Sequence, residues 1–196
     1  MTNELALLVL GWLLGLVSSL VASLVMFWLE GRRTIRLEAV KQRQEDIRIA
    51  RNWTSEGKKV SLRGFDLARA NLSGKDLAGA DLEDANFEGA QMWGTNLSGA
   101  NLRRANFHRA KLVGVNLEGA NLLLADFTGA MIGESNFAEA QLRRTKLHKA
   151  KKVVDCVWNG AKVDETTELS VELREEIERQ SVPTGELESR DETSSG

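Results

Sequence analysis

The chain has 196 residues, with 26 Lys and Arg against 28 Asp and Glu, one Pro, one Cys, two His and no Tyr. These counts leave room for one ordinary domain with extensions, and they exclude a disulfide framework, a cysteine-built zinc cluster and a proline-rich linker. The net charge of −2 is segregated, as −1 over residues 1–29, +4 over 30–59, +1 over 60–165 and −6 over 166–196.

A short tail, residues 1–4, precedes 25 uncharged residues from Leu5 to Leu29. As a helix they span about 37 Å at 1.5 Å per residue, more than the roughly 30 Å hydrocarbon core, which predicts a single transmembrane helix over 5–29 in contact with membrane lipid. A cleavable signal peptide fits less well, because the tail carries no base and the apolar run is about twice a normal h-region. Arg32, Arg33, Arg36, Lys41 and Arg43 follow the span and only Glu4 precedes it. The positive-inside rule then places the N-terminus outside and the rest of the chain in the cytoplasm, with Trp28 at the interface. A cytoplasmic address also suits a lone, reduced Cys156. Within the span Gly11, Gly15, Ser19 and Ser23 recur every four residues, a small-residue stripe that permits pairing with a second copy (a homodimer) or with another helix.

Residues 30–59 form a basic juxtamembrane segment. Its first part, to Arg51, is rich in helix formers and repeats apolar residues at Leu37, Val40 and Ile47, so a helix continues out of the membrane before a linker. Its positive balance suits either anionic headgroups or a solvated spacer, since Glu38, Glu45 and Asp46 interrupt the bases.

From Leu62 the chain repeats every five residues. All 18 positions from Leu62 to Leu147 in steps of five are large and apolar. Ala stands two before in 11 cases, Asn or Asp one before in 12, and Gly two after in nine. A period of five fits neither a helix at 3.6 nor a strand at 2, so the chain turns once per repeat. Ala and the apolar residue point inward together, the Asn or Asp between them points out, and the Asn, Asp and Gly residues supply the turns. Phe87, Phe107 and Phe127 lie 20 apart, as stacked rings would in coils of four repeats.

The segments ANLSG, ADLED, ANFEG, ANLRR, ANLEG and ADFTG resemble the pentapeptide repeat family, whose motif is A(D/N)LXX. The resemblance implies an all-β solenoid over residues 60–165, a right-handed quadrilateral β-helix of about five coils. It also implies a bacterial source, where the family abounds. Phe65 and Lys75 replace Ala at inward positions of the first coil, and after Leu147 the register slips by one residue before resuming at Val153, Trp158 and Val163. Leu169, Leu173 and Ile177 predict a short capping helix over 166–180 for the open end. Residues 181–196 are acidic and rich in turn formers, and disorder is expected there.

No catalytic constellation emerges, so no enzyme activity and no cofactor or metal is expected. His108 and His148 fall two coils apart in one column, about 10 Å at strand spacing, too far to share a metal. Cys156 beside Trp158 reads as a packed small hydrophobe. The outward residues sort by side: the side through Leu77 and Leu97 carries Asp76, Glu118 and Glu139. The side through Leu62 and Leu82 carries Arg63, Arg103, Arg104, Arg143 and Arg144 around Leu123 and Leu124. The side through Leu72 and Met92 shows Trp93, Val113 and Met131 with few charges. Trp93, Val113 and Met131 make the first candidate protein-interaction face and Leu123 and Leu124 the second, set against the ordinary scatter of single exposed apolar residues.

The function expected is a non-enzymatic, membrane-tethered scaffold that binds a protein partner at the cytoplasmic membrane surface. The resemblance offers an alternative, a DNA-mimicking regulator of a type II topoisomerase, which calls for a strongly acidic rod where this one sums to +1. Direct nucleic-acid binding is not expected, because acids interrupt the basic side chains.

Overall fold

The structure, a computed structural model, describes residues 2–53 and 61–181, and within them the side chains of 21–53, 61–151 and 153–180. The predicted acidic tail from residue 182 onward lies outside the described residues. Two units are distinct, Met1–Gln44 and Glu45–Gly196.

The first unit belongs to α1, Thr2–Asn52. This helix runs through Gly31 without a break, so the boundary expected between membrane and juxtamembrane helices is not an interruption. The helix formers on either side carry the single glycine, which costs only about 1 kcal/mol. Among the described residues no helix is long and apolar enough to cross a membrane. The side chains of residues 5–20, and with them Gly11, Gly15 and Ser19, lie outside the described set, which leaves only Val21–Leu29 of the uncharged run ahead of Glu30. Within the unit the Arg32 guanidinium lies 3.8 Å over the Trp28 ring, a cation–π contact.

The second unit is a parallel β-solenoid. Bridges link Asp66 to Asn86, Asn86 to Asn106 and Asn106 to Asp126, and the same step of 20 recurs along the other three rows. Four five-residue repeats therefore make one coil of four sides, named here by their central residues: side 1 holds Leu62 and Leu82, side 2 Leu67 and Phe87, side 3 Leu72 and Met92, side 4 Leu77 and Leu97. All 18 predicted inward residues are buried, as are the alanines two before them. Most corners close with a hydrogen bond such as Ala80 N–H to Leu77 O, 3.1 Å. The third residue of nearly all of them is left-handed, as at Gly79 (φ 68°), the conformation a type II turn demands there.

The polar positions do more than face solvent. All twelve Asn and Asp residues of the repeat accept a hydrogen bond from the N–H two residues on, as His108 N–H donates to Asn106 Oδ1 at 2.9 Å. Several asparagines also donate along the rod, Asn86 to Asp66 at 3.1 Å and Asn101 to Asp81 at 3.0 Å. The expectation that they simply point out is corrected: most are half-buried, because an amide has a donor and an acceptor and a stacked coil offers a partner for each.

Inside, Phe87, Phe107 and Phe127 stack at 4.8 and 4.7 Å. The stack turns edge-on to Phe137 and resumes with Trp158 at 4.4 Å. Among the described residues only side 3 has continuous strands, β1 (Lys111–Val113), β2 (Met131–Gly133) and β3 (Lys151–Val154), paired in that order. The one-residue slip read after Leu147 is a bulge in β3, where Met131 pairs with Lys151 but Gly133 with Val154. A second extra residue, which the sequence did not disclose, sits before Glu168, the partner of Lys146.

Both ends are closed by side chains that replace a missing coil. At the start, the last turns of α1 bury Asp46 and Ala50, with Ile47, Ile49 and Trp53 against the core. Asp46 Oδ2 accepts the Asp66 N–H at 3.1 Å, a role that the carbonyl of Phe65 plays for Asn86 one coil later. Arg51 Nε donates to Asn71 O at 3.1 Å. At the other end α2, Val171–Ser181, is capped by Ser170, whose Oγ accepts the Leu173 N–H at 3.3 Å, and it buries Leu173 and Ile177. Its Gln180 acts as a peptide group: Oε1 accepts the Trp158 N–H at 2.8 Å and Nε2 donates to Cys156 O at 3.1 Å.

Candidate interaction faces

Side 3 carries the first candidate face. Its outward row runs Trp93, Val113, Gly133 and Val154, because Val113 pairs with Gly133 and Gly133 with Val154. Trp93 is 54% exposed and Val154 55%, Val113 and Met131 are half-buried, and Gly133 has no side chain to interrupt the surface. Coils at about 4.8 Å spacing make this an apolar strip roughly 15 Å long. Met131, one row over, lies between Lys111 and Lys151 in register. Val154 was not among the residues named from sequence, although the register resumed at Val153 already places it at the position of Trp93 and Val113.

Leu123 and Leu124 stand on side 1, opposite this strip, so the two candidate faces are separate surfaces. Leu124 is 39% exposed and left-handed (φ 65°). Toward the start of side 1, charges form a ladder: Arg63 reaches Glu83 at 3.0 Å and Asp84 at 3.4 Å, and Arg104 reaches Glu83 at 2.7 Å and Asp84 at 2.6 Å. The Arg104 hydrogen bond holds the Asp84 carboxyl below its ordinary range, with Arg63 contributing. Toward the end, Arg143 and Arg144 are exposed.

The remaining chemically suggestive residues have structural partners. Cys156 is buried at the inward Ala position and its thiol donates to Ile132 O at 3.3 Å; burial pushes its pKa up, away from a nucleophilic thiolate. Thr95, Ser135 and Thr145, also at Ala positions, donate to Leu72 O, Leu112 O and Leu122 O at 2.9, 2.8 and 2.8 Å. His148 Nδ1 lies 3.0 Å from Glu168. Among the described residues no group of three or more His, Cys, Asp or Glu side chains could hold a metal ion.

Coils of 20 residues with four inward apolar rows define a four-sided, five-residue-repeat β-solenoid. The family model for pentapeptide repeats matches in eight copies over residues 61–99, 85–122 and 120–151, and the chain belongs to that family through this stretch. No curated relative matches. Among solved structures, a pentapeptide repeat protein of the Arabidopsis thaliana thylakoid lumen is similar at 24% identity and TM-score 0.50, covering 53% of this chain and 71% of that one. Rfr23 of the cyanobacterium Cyanothece 51142 is 28% identical over 48% of this chain and 64% of its own, with TM-score 0.28. The plasmid-mediated fluoroquinolone resistance protein QnrB1 is 19% identical over 60% and 64%, with TM-score 0.29. The first of these likenesses supports the fold alone.

Proposed function

We propose that this chain is a non-enzymatic scaffold, tethered to a membrane by its uncharged N-terminal run and binding a protein partner through side 3. The observation that carries the reading is the strip of Trp93, Val113, Met131 and Val154, a contiguous apolar surface on a rigid parallel sheet. Partner burial of a Trp on a backbone that need not reorganise costs little ordering entropy. The tether rests on the length of the uncharged run and the basic flank after it, and it puts the solenoid on the cytoplasmic side. A DNA mimic would need a surface dense in unpaired acids, whereas Glu83 and Asp84 are tied to arginines.

Two measurements test the two halves. Alkaline carbonate extraction of membranes from producing cells should leave the full chain in the pellet; release into the supernatant rejects the tether. A photo-crosslinking residue at position 113 should join the full chain to one partner, and the pair Trp93→Glu with Met131→Glu, introduced together, should abolish that adduct with the circular dichroism unchanged. An adduct that survives the pair, or none above background, rejects side 3 as the interface.

A further inference from the structure

Between the C-terminal end of side 3 and α2 lies an open cleft of about 820 Å³. Its floor is apolar, formed by the half-buried Ala150 and Val153 over the buried Leu147, Cys156 and Trp158, and its far wall is α2 with Glu172, Glu175 and Glu176. One border is the free edge of β3, which pairs only with β2 among the described strands. In the coils before it, this side hands its N–H groups forward: Gly94 to Val113 O, Gly114 to Gly133 O and Glu134 to Val154 O, each at 2.9 Å. Asp155 holds the equivalent position, left-handed like them, and it lines the cleft where the next coil would be. On side 4 the corresponding groups are already met by Gln180. Side 3 is left open.

We infer that this cleft takes an extended peptide segment with alternating apolar and basic residues, added as a parallel strand to β3. A strand's side chains alternate, so one set enters the apolar floor while the other meets the α2 wall. Charge selects the second set. Of the bases that face the cleft, Arg179 is paired with Glu176 and His148 with Glu168, while Glu172 and Glu175 are exposed beside Asp155. The chain's own segment 182–196 is disfavoured as the occupant, because it carries four acids against one Arg and would meet like charge. This site adjoins the Trp93 strip at Val154 and shares neither Trp93, Val113 nor Met131 with it, so variants at those residues and at α2 tell the two assignments apart.

The test uses the full chain and a fluorescein-labelled octapeptide of alternating Lys and Val carrying one photoreactive Leu. Anisotropy should show saturable binding. It should weaken at least tenfold for the Glu–Val octapeptide, and as much for a Lys–Val peptide N-methylated at alternate residues, which cannot add to an edge. Mapped photo-adducts should fall on residues 147–155 or on α2. The variant Glu172→Gln with Glu175→Gln, both exposed and tolerant of change, should weaken binding at least threefold, while Trp93→Glu should leave it unaltered. No binding, equal binding of the acidic or N-methylated peptide, or adducts confined to other sides would each overturn the proposal.

Discussion

At the scale of single residues, the solenoid is set by what an inward position tolerates. Leu102 sits fully buried between coils, so Leu102→Lys forces an unpaired ammonium into the core or the coil open. The expected outcome is loss of the cooperative thermal transition; a melting curve like that of the wild type would contradict the inward assignment. Thr145 is a milder case, because its methyl packs where Ala usually stands and its hydroxyl donates to Leu122 O, which also accepts the Ala125 N–H at 2.9 Å. Thr145→Val keeps the shape and removes one hydrogen bond, so it should cost about 1 kcal/mol by denaturant titration. Asp84 gives a pH dependence with a definite sign. Its carboxyl is held below its ordinary value by Arg104, so its contribution is complete above the unfolded-chain value of about 3.9 and is lost as pH falls through the lower folded value. Asp84→Asn should therefore melt below wild type at pH 6, by a small margin suited to an exposed pair, and the two curves should converge as pH falls through that lower folded value. A margin that widens in acid would contradict the ladder.

At the scale of elements, the sequence read the coils well and the ends poorly, for physical reasons that differ. An inward Leu every five residues, with Ala two before it, is a packing rule written at every repeat, and Phe87, Phe107 and Phe127 stack as their spacing of 20 implies. The caps have no such redundancy. Asp46 and Arg51 look like ordinary members of a charged helix, and only the fold brings them to the Asp66 N–H and the Asn71 carbonyl. The cleft beside β3 escaped for a related reason, because it belongs to elements distant in sequence. Gln180 is the sharpest example, one side chain standing in for a peptide group on side 4. Gln180→Leu leaves the Trp158 N–H and the Cys156 carbonyl without these partners, and should cost about 1–3 kcal/mol. Hydrogen exchange at the Trp158 amide should accelerate in that variant well before amides of the middle coils do; unchanged exchange would mean that the amide is protected by something other than Gln180.

At the scale of the whole solenoid, the governing problem is that each coil is a template for the next. Unlike a closed barrel, a stack of parallel bridges ends in unsatisfied edges and a bare apolar cross-section, here Leu147 and the Phe137–Trp158 pair. α2 resolves this by burying Leu173 and Ile177 in that end and by occupying side 4 with Gln180, and helices are poor templates for further strands. Ending the chain after Leu169 removes both functions while leaving the Lys146–Glu168 bridge and the Thr167 hydroxyl on Leu142 O in place. Such a truncated chain should retain the β-solenoid circular dichroism and associate with rising concentration, end against end, to a degree that the full chain in the same detergent does not. Multi-angle light scattering over a hundredfold concentration range reads the difference directly, and any pairing through α1 is common to both samples and cancels. If the truncated chain keeps the mass of the full one, α2 is not what keeps the solenoid from stacking; if it loses its β signal, α2 is part of the fold's core.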